Sequence, residues 1–246
     1  MNYLNFLSLL LLRLYKLRII LMHAKLRRLF FQYRIMAGVE HKAVLSRKIS
    51  TVVDIGANRG QFALAARTIC DAQVFSFEPL PEVALFFRKV FSNDPKVKLF
   101  ITAIGIKAEK KLIHLSARDD SSSLLKIGEA QSNFFPGTHE IGTLEIDVGP
   151  LENFLTQEDI TRPAMLKLDV QGYELQALAG CESLIRNFNY VYCECSFVEL
   201  YRDQKLACEV IKYLYVLGFN LTGVYNPAYD GHGNCIQADL LFCQIE

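Results

Sequence analysis

The stretch Thr51–Gly60, T-V-V-D-I-G-A-N-R-G, decides the fold. Its first three residues favour a β-strand, Asp54 follows shortly after, and two glycines then bracket a tight turn. Residues 61–67, Q-F-A-L-A-A-R, have the apolar spacing of an amphipathic helix. Strand, glycine turn and helix in this order predict the first unit of a nucleotide-binding α/β domain, in which free N–H groups at the helix start face a ligand.

An acidic residue closes the second predicted strand. Residues 73–78, Q-V-F-S-F-E, end at Glu78, where a nucleotide-binding βαβ unit places the carboxylate that holds a ribose diol. A dinucleotide is disfavoured, because Asn58 and Gln61 stand where the pattern G-x-G-x-x-G needs its later glycines. An adenosyl ligand without a phosphate group to cradle fits these residues better.

The composition indicates a globular chain of one domain with a basic N-terminal arm. Of its 246 residues, 51% are hydrophobic and 22% charged, and the net charge is +1. Residues 1–50 hold ten Lys or Arg against one acid, Glu40, whereas the remainder holds 17 against 25. We predict an arm over residues 1–48 and an α/β domain over residues 49–246. Seven cysteines without metal-binding spacing favour reduced thiols, no metal site and a cytoplasmic location.

The arm has the pattern of an amphipathic helix with cations around its remaining circumference. Its apolar face begins at Ile19 and continues through Met22, Leu26, Leu29, Phe30 and Tyr33. The longest uncharged stretch ends at Arg13 and is too short to span a membrane, and no secretory signal is evident. We expect this helix either to lie on the inner face of an anionic membrane or to cap the domain or form a homodimer contact. A nucleic-acid partner is not expected.

The rest of the chain alternates between strand and helix patterns. This alternation predicts a mostly parallel, seven-stranded sheet with helices on both faces, one of them over residues 203–217. The later strands are expected over residues 97–102, 165–169, 190–195, 220–225 and 238–243, the last two as an antiparallel hairpin.

One segment interrupts this alternation. Residues 110–115 and 143–148 alternate like strands on either side of a polar loop at 119–124, which predicts a β-flap insert.

Four acids follow the predicted parallel strands, namely Asp54, Glu78, Asp169 and Glu194. Ligands of open α/β sheets bind at the carboxyl ends of the strands, so we expect these acids to converge on one site.

Two motifs in this chain resemble those of a known family. V-D-I-G-A-N-R-G, residues 53–60, resembles the first motif of class I S-adenosylmethionine-dependent methyltransferases, specifically of the FkbM family, whose usual form is D-x-G-A-N-x-G. L-K-L-D-V-Q-G-Y-E, residues 166–174, is similar to that family's D-x-E-G-x-E segment, except that Gln171 replaces a Glu. The resemblance covers roughly residues 50–245 and implies a Rossmann-like class I methyltransferase fold.

The resemblance implies S-adenosyl-L-methionine as the methyl donor. Gly56 and Asn58 would pass close to its methionine portion, Glu78 would hold the ribose, and Ala103 and Ile104 would line the adenine slot. The full set of predicted donor-binding residues is Asp54, Gly56, Asn58, Gly60, Glu78, Ala103, Ile104 and Asp169.

The resemblance also implies O-methylation of a hydroxyl on a sugar, a glycan or a secondary metabolite. We assign Asp169 as general base or acceptor anchor, Glu174 as its support, and His139 of the insert as a third candidate. Gln171 removes one carboxylate and argues against a carboxylate-held metal. An N-methyltransferase and a non-catalytic, membrane-docked adapter remain the alternatives.

Overall fold

Helices and strands alternate along most of the chain. The computed structural model describes Arg18, Met22 and residues 24–245, without the side chain of Lys25. Its strands are β1 (Thr51–Ile55), β2 (Gln73–Phe77), β3 (Val97–Phe100), β4 (Ala103–Ile104), β5 (Glu109–Ser116), β6 (Glu140–Gly149), β7 (Ala164–Leu168), β8 (Tyr190–Ser196), β9 (Phe219–Tyr229) and β10 (Cys235–Gln244). Its α-helices are α1 (Ala24–Tyr33), α2 (Lys42–Leu45), α3 (Gln61–Ile69), α4 (Pro81–Val90), α5 (Glu129–Phe134), α6 (Glu174–Ala179) and α7 (Ala207–Val216).

A seven-stranded sheet forms the centre of the molecule. Its order is β3-β2-β1-β7-β8-β10-β9, with parallel pairing from β3 to β8. The strand β10 runs antiparallel between β8 and β9. The predicted mostly parallel sheet with a final hairpin is therefore confirmed.

Two apolar layers cover the two faces of this sheet. Because side chains alternate along a strand, Val53 points to the layer formed with Leu178 of α6 and Leu214 of α7. Val52 points to the opposite layer, which contains Phe62 of α3 and residues of α1, α2 and α4. Helices on both faces, as predicted, enclose the parallel strands and leave the carboxyl ends of those strands for a site.

The insert forms a second, three-stranded sheet in the order β4-β6-β5. The strands β5 and β6 pair antiparallel, and Ile113 and Ile146 pack against Leu80 and Val83 near the start of α4. The predicted β-flap is thus present, and it is anchored beside the end of β2.

The described part of the arm packs on the sheet. Leu26 and Leu29 of α1 are buried in the same core layer as Val52, and Ile49 joins them. Residues 1–17, 19–21 and 23 of the predicted arm lie outside the described residues, and a division at residue 49 stays a prediction. Within the described part of the chain, no helix is long and apolar enough to cross a bilayer.

The helix predicted over residues 203–217 begins later than expected. Asp203 has φ +61°, a left-handed conformation that does not start a helix. The side-chain oxygen of Gln204 accepts hydrogen bonds from the N–H groups of Leu200 and Tyr201, which closes a turn. Helix α7 therefore starts at Ala207.

Candidate active site

The glycine turn after β1 lies against the end of β7. Gly56 has φ +76°, and a Cβ at this position would lie 1.8 Å from the carbonyl oxygen of Asp169, so only glycine fits. The N–H groups of Gly56 and Ala57 both donate to the carbonyl of Phe77, at 3.0 Å. The turn therefore bonds to the end of β2 and touches the end of β7, which brings three strand ends together.

Glu78 fastens the same turn from the end of β2. Its Oε2 accepts from the N–H of Asn58 and its Oε1 from the N–H of Leu80, both at 2.9 Å. Asn58 has φ +47°, a conformation that Asn adopts more readily than most residues. Glu78 is 5% exposed, and burial raises its pKa to about 7. A carboxylate offers about four lone-pair positions, so Glu78 can still accept hydrogen bonds from a ligand.

A buried ion pair lies behind the turn. Lys167 Nζ lies 2.9 Å from Asp54 Oδ1 and donates to the carbonyl of Gly56 at 2.8 Å. Burial lowers the pKa of Lys167, but the carboxylates of Asp54 and Asp169 raise it by more, so the ammonium stays charged. Asp54 is fully buried and acts on the site through Lys167 and Gly56.

Gln171 connects Asp169, directly after β7, with Glu194, within the last residues of β8. Its Nε2 donates to Asp169 Oδ1 at 2.8 Å and to Glu194 Oε2 at 2.9 Å, and its Oε1 accepts from the Tyr201 hydroxyl at 2.7 Å. The amide thereby separates two carboxylates and orients Asp169, whose side chain is 39% exposed. In the described part of the chain, no group of three or more His, Cys, Asp or Glu is placed to hold a metal ion.

A cleft opens at this carboxyl edge of the sheet. Its polar side is formed by Asn58, Glu78, Asp169 and Gln171, and its apolar side by Phe77, Leu80, Ala103, Ile104, Ile113 and Leu124. A flat apolar group and a polar group with several hydroxyls can therefore be bound side by side.

The polar loop of the insert forms a further wall of the cleft. Ser123 Oγ donates to the carbonyl of Gln171 at 2.6 Å. Arg59, in the glycine turn, contacts Asp119 Oδ2 with Nε and Nη2, each at 2.7 Å. The loop is thus held over the cleft from two sides, by the end of β7 and by the glycine turn.

The structure brings six of the predicted donor-binding residues to the cleft, namely Gly56, Asn58, Glu78, Ala103, Ile104 and Asp169. The other two lie behind it. Asp54 is buried against Lys167, and Gly60, with φ +94°, precedes α3 where a Cβ would lie 2.5 Å from the ring of Phe91. Both support the turn rather than line the cleft.

Two predicted catalytic residues do not line the cleft. Glu174 is 2% exposed, and its Oε1 accepts from the N–H groups of Gly172 and Val170, at 3.0 and 3.3 Å. Burial raises the pKa of Glu174 to about 7. His139 is exposed and directly precedes β6. Their catalytic roles stay predictions, and the contacts of Glu174 favour a supporting role.

The sequence did contain a signal for Lys167. It is the one charged residue within the strand A-M-L-K-L, and the parallel register places it beside Asp54. Because a charge in a buried strand needs a partner, this pattern predicts an ion pair. The contacts of Tyr201 with Gln171 and of Asp119 with Arg59 have no comparable signal, since each joins distant segments.

The sheet order, the glycine turn and the acid at the end of β2 define a class I methyltransferase. Residues 54–221, more than half of the chain, match the family described as "Methyltransferase FkbM domain". The chain belongs to the FkbM methyltransferase family.

Two named relatives align with about two thirds of this chain. The 2-O-methyltransferase NoeI of Sinorhizobium fredii (strain NBRC 101917 / NGR234) is 24% identical over 169 residues, which cover 66% of this chain and 70% of that protein. The hexuronic acid methyltransferase AglP of Haloferax volcanii is 27% identical over 169 residues, which cover 65% of this chain and 64% of that protein.

Solved structures that match this chain include two bacterial proteins. The precorrin-6y C5,15-methyltransferase of Geobacter metallireducens GS-15 is 12% identical, with a TM-score of 0.46 and coverage of 84% of this chain and 88% of that one. The Streptococcus mutans protein SMU.1697c, in complex with SAH, is 12% identical, with a TM-score of 0.49 and coverage of 83% and 96%.

Proposed function

We propose that this chain transfers a methyl group from S-adenosylmethionine to a hydroxyl of a sugar or glycan. The observation that carries the proposal is Glu78, a buried carboxylate at the end of β2 that faces the cleft and fixes the glycine turn through Asn58. This is the placement expected of a residue that accepts hydrogen bonds from a ribose. The name of the relative NoeI, a 2-O-methyltransferase, supports transfer to an oxygen, and that of AglP, a hexuronic acid methyltransferase, supports a sugar acceptor.

The cleft fits the parts of the donor. Ile104 and Phe77 would pack against the adenine, Glu78 would accept from the ribose, and the turn at Gly56 would lie along the methionine portion. When bound, S-adenosylmethionine would supply an electrophilic methyl group on a sulfonium. The excess of carboxylates around Lys167 offsets the positive charge of such a ligand.

Asp169 is the residue we assign to the acceptor hydroxyl. Its Oδ1 is occupied by Gln171, and its Oδ2 lies 3.9 Å from Lys167 Nζ. Oδ2 would accept the proton that the hydroxyl loses as its oxygen bonds the methyl carbon. A positioned base contributes about 10²- to 10⁴-fold, whereas alignment for in-line displacement supplies up to about 7 to 11 kcal/mol. The alignment provided by the cleft is therefore expected to lower the activation barrier by more than the base does.

Calorimetry with purified protein tests the donor assignment. We expect S-adenosylmethionine and its demethylated product to bind, and Glu78→Ala to weaken both by more than about tenfold through loss of hydrogen bonds to a charged group. Glu82→Ala, an exposed acid in α4, is the matched control and should bind as the wild type does. Equal affinities of the Glu78 and Glu82 variants would sink the donor assignment.

A transfer assay tests the acceptor assignment. Labelled donor is incubated with a glycan extract, and mass analysis identifies the methylated monosaccharide. Asp169→Asn should lose transfer by the factor expected of a general base, and by more than it loses donor affinity, because asparagine keeps the size of the side chain. Label on a nitrogen atom would establish the N-methyltransferase alternative, and donor binding absent from the wild type would favour the adapter alternative.

We propose two alternative roles for the N-terminal arm. It places the chain at the inner face of a membrane, or it forms a homodimer contact. The exposed side chains of α1 support a contact of this kind.

A further inference from the structure

Helix α1 has a second face that does not pack against the core. Leu26 and Leu29 point into the core, whereas Phe31 lies roughly 140° around the helix axis from Leu26 and is 68% exposed. Arg28 is exposed on the same side, and Arg34, directly after the helix, is exposed as well. We call Arg28, Phe31, Arg34 and Met36 the outer ridge. Met36 adds a second exposed apolar side chain.

We propose that the outer ridge docks on the anionic surface of a lipid bilayer. An aromatic side chain between cations is the combination that binds such a surface, because the ring enters the headgroup boundary while the cations face anionic lipids. The ridge lies in a segment without acids, since Glu40 is the first acid in the sequence.

Charge distinguishes a membrane from a second copy of the chain. In a two-fold dimer the same patch of both copies meets, so Arg28 and Arg34 would face the arginines of the other ridge. Like charges in contact repel, whereas a bilayer with anionic lipids attracts all of them. The ten Lys or Arg in residues 1–50, against one acid, act in the same direction.

Vesicle co-sedimentation of the full chain tests the proposal. The wild type should pellet with vesicles of mixed phosphatidylglycerol and phosphatidylcholine, remain in solution with phosphatidylcholine alone, and bind less as salt is added. Arg28→Gln with Arg34→Gln should weaken binding by roughly fivefold for each arginine removed. Phe31→Ser should weaken it by roughly tenfold or more.

Matched controls lie on α7. Lys212→Gln removes an exposed cation and Val216→Ser removes an apolar side chain that is 78% exposed, and both should bind as the wild type does. Circular dichroism checks that the ridge variants are folded, which is expected because their side chains lie outside the core. Equal binding of ridge and control variants, or no binding by the wild type, overturns the proposal. Dimers that Phe31→Ser dissociates, or displacement from vesicles by RNA alone, would also overturn it.

Discussion

Lys167 is a cation within an apolar strand, and its partners explain why the chain tolerates it. The ammonium pairs with Asp54 and fixes the carbonyl of Gly56. We expect Lys167→Met to lower the free energy of unfolding by about 3 to 5 kcal/mol, because it leaves Asp54 buried without a counterion. Urea unfolding at neutral pH measures this change.

The double variant Asp54→Asn with Lys167→Met is the control for that substitution. It removes both charges, so much of the lost stability should return, although the hydrogen bond to Gly56 stays lost. If Lys167→Met alone unfolds at the same urea concentration as the wild type, the ion pair does not stabilise the turn.

Glu78 differs from most buried carboxylates in how its two oxygens are used. Each oxygen accepts one backbone N–H, from Asn58 and from Leu80. Glu78→Gln keeps one oxygen and places an NH₂ group against the other N–H, so one bond is lost and two donors face each other. We expect a loss of about 1 to 3 kcal/mol in unfolding free energy and at least about tenfold in donor affinity.

Calorimetry and urea unfolding on the same preparation test the Glu78→Gln prediction. The exposed variant Glu82→Gln serves as its control. Unchanged stability together with unchanged donor affinity would contradict the role assigned to these two hydrogen bonds.

At the scale of elements, the Gln171 side chain links the loop between β7 and α6 to β8. Gln171 has φ +55° and bridges Asp169 and Glu194 with its amide. Gln171→Glu would place a third carboxyl between two others, and their repulsion would raise the pKa of the new group in the folded state. The variant should therefore lose about 1 to 3 kcal/mol of stability at pH 8 and regain it as pH falls and the new carboxyl is protonated.

Urea midpoints at pH 5 and pH 8 measure the effect of Gln171→Glu. Gln157→Glu, at an exposed position, gives the background effect of adding an acid. Equal losses in the two variants at pH 8 would show that the amide bridge has no electrostatic role.

Sequence patterns predict best those elements whose apolar residues follow one regular spacing from end to end. β1 contains Asp54 and β7 is followed by Asp169, and both strands appear where expected. Helix α7 starts later than its apolar period predicts, because hydrogen bonds from the N–H groups of Leu200 and Tyr201 to Gln204 form a turn that periodicity does not reveal. Local turn chemistry, rather than hydrophobic pattern, sets that boundary.

At the scale of the whole molecule, the sequence predicts the part of the candidate site that the strand ends form, but not the part that the insert forms. The parallel sheet dictates that strand ends meet, so Asp54, Glu78 and Asp169 could be brought together from spacing alone. The contact of Arg59 with Asp119 joins residues sixty positions apart. Such contacts depend on how the insert packs, which no local pattern in the sequence encodes.

Two buried acids make the stability of the whole chain depend on pH. Burial raises the pKa of Glu78 and of Glu174 to about 7. In the unfolded chain, both carboxyls have a pKa near the ordinary value for Glu. Their contribution to the free energy of unfolding is therefore most favourable at acidic pH, and it is lost as pH rises through the unfolded-state pKa and then the folded-state pKa. The expected loss between pH 5 and pH 8 is on the order of 3 kcal/mol for each group.

Glu174→Gln isolates one of these contributions without breaking its contacts. Both N–H groups that bind Glu174 donate to the same oxygen, Oε1, so glutamine can keep both bonds. We expect the variant to be more stable than the wild type at pH 8 and similar to it at pH 5, as measured by urea unfolding. The free energy of unfolding of Glu158→Gln, at an exposed position, should change with pH as that of the wild type does. A hydrogen bond with Thr156 lowers the pKa of the Glu158 carboxyl from its ordinary value, which already lies below this range. If the free energy of unfolding of Glu174→Gln also changes with pH as that of the wild type does, Glu174 does not titrate between pH 5 and pH 8 in the folded chain. Hydrogen bonds from the loop backbone would then offset the cost of burying its charge.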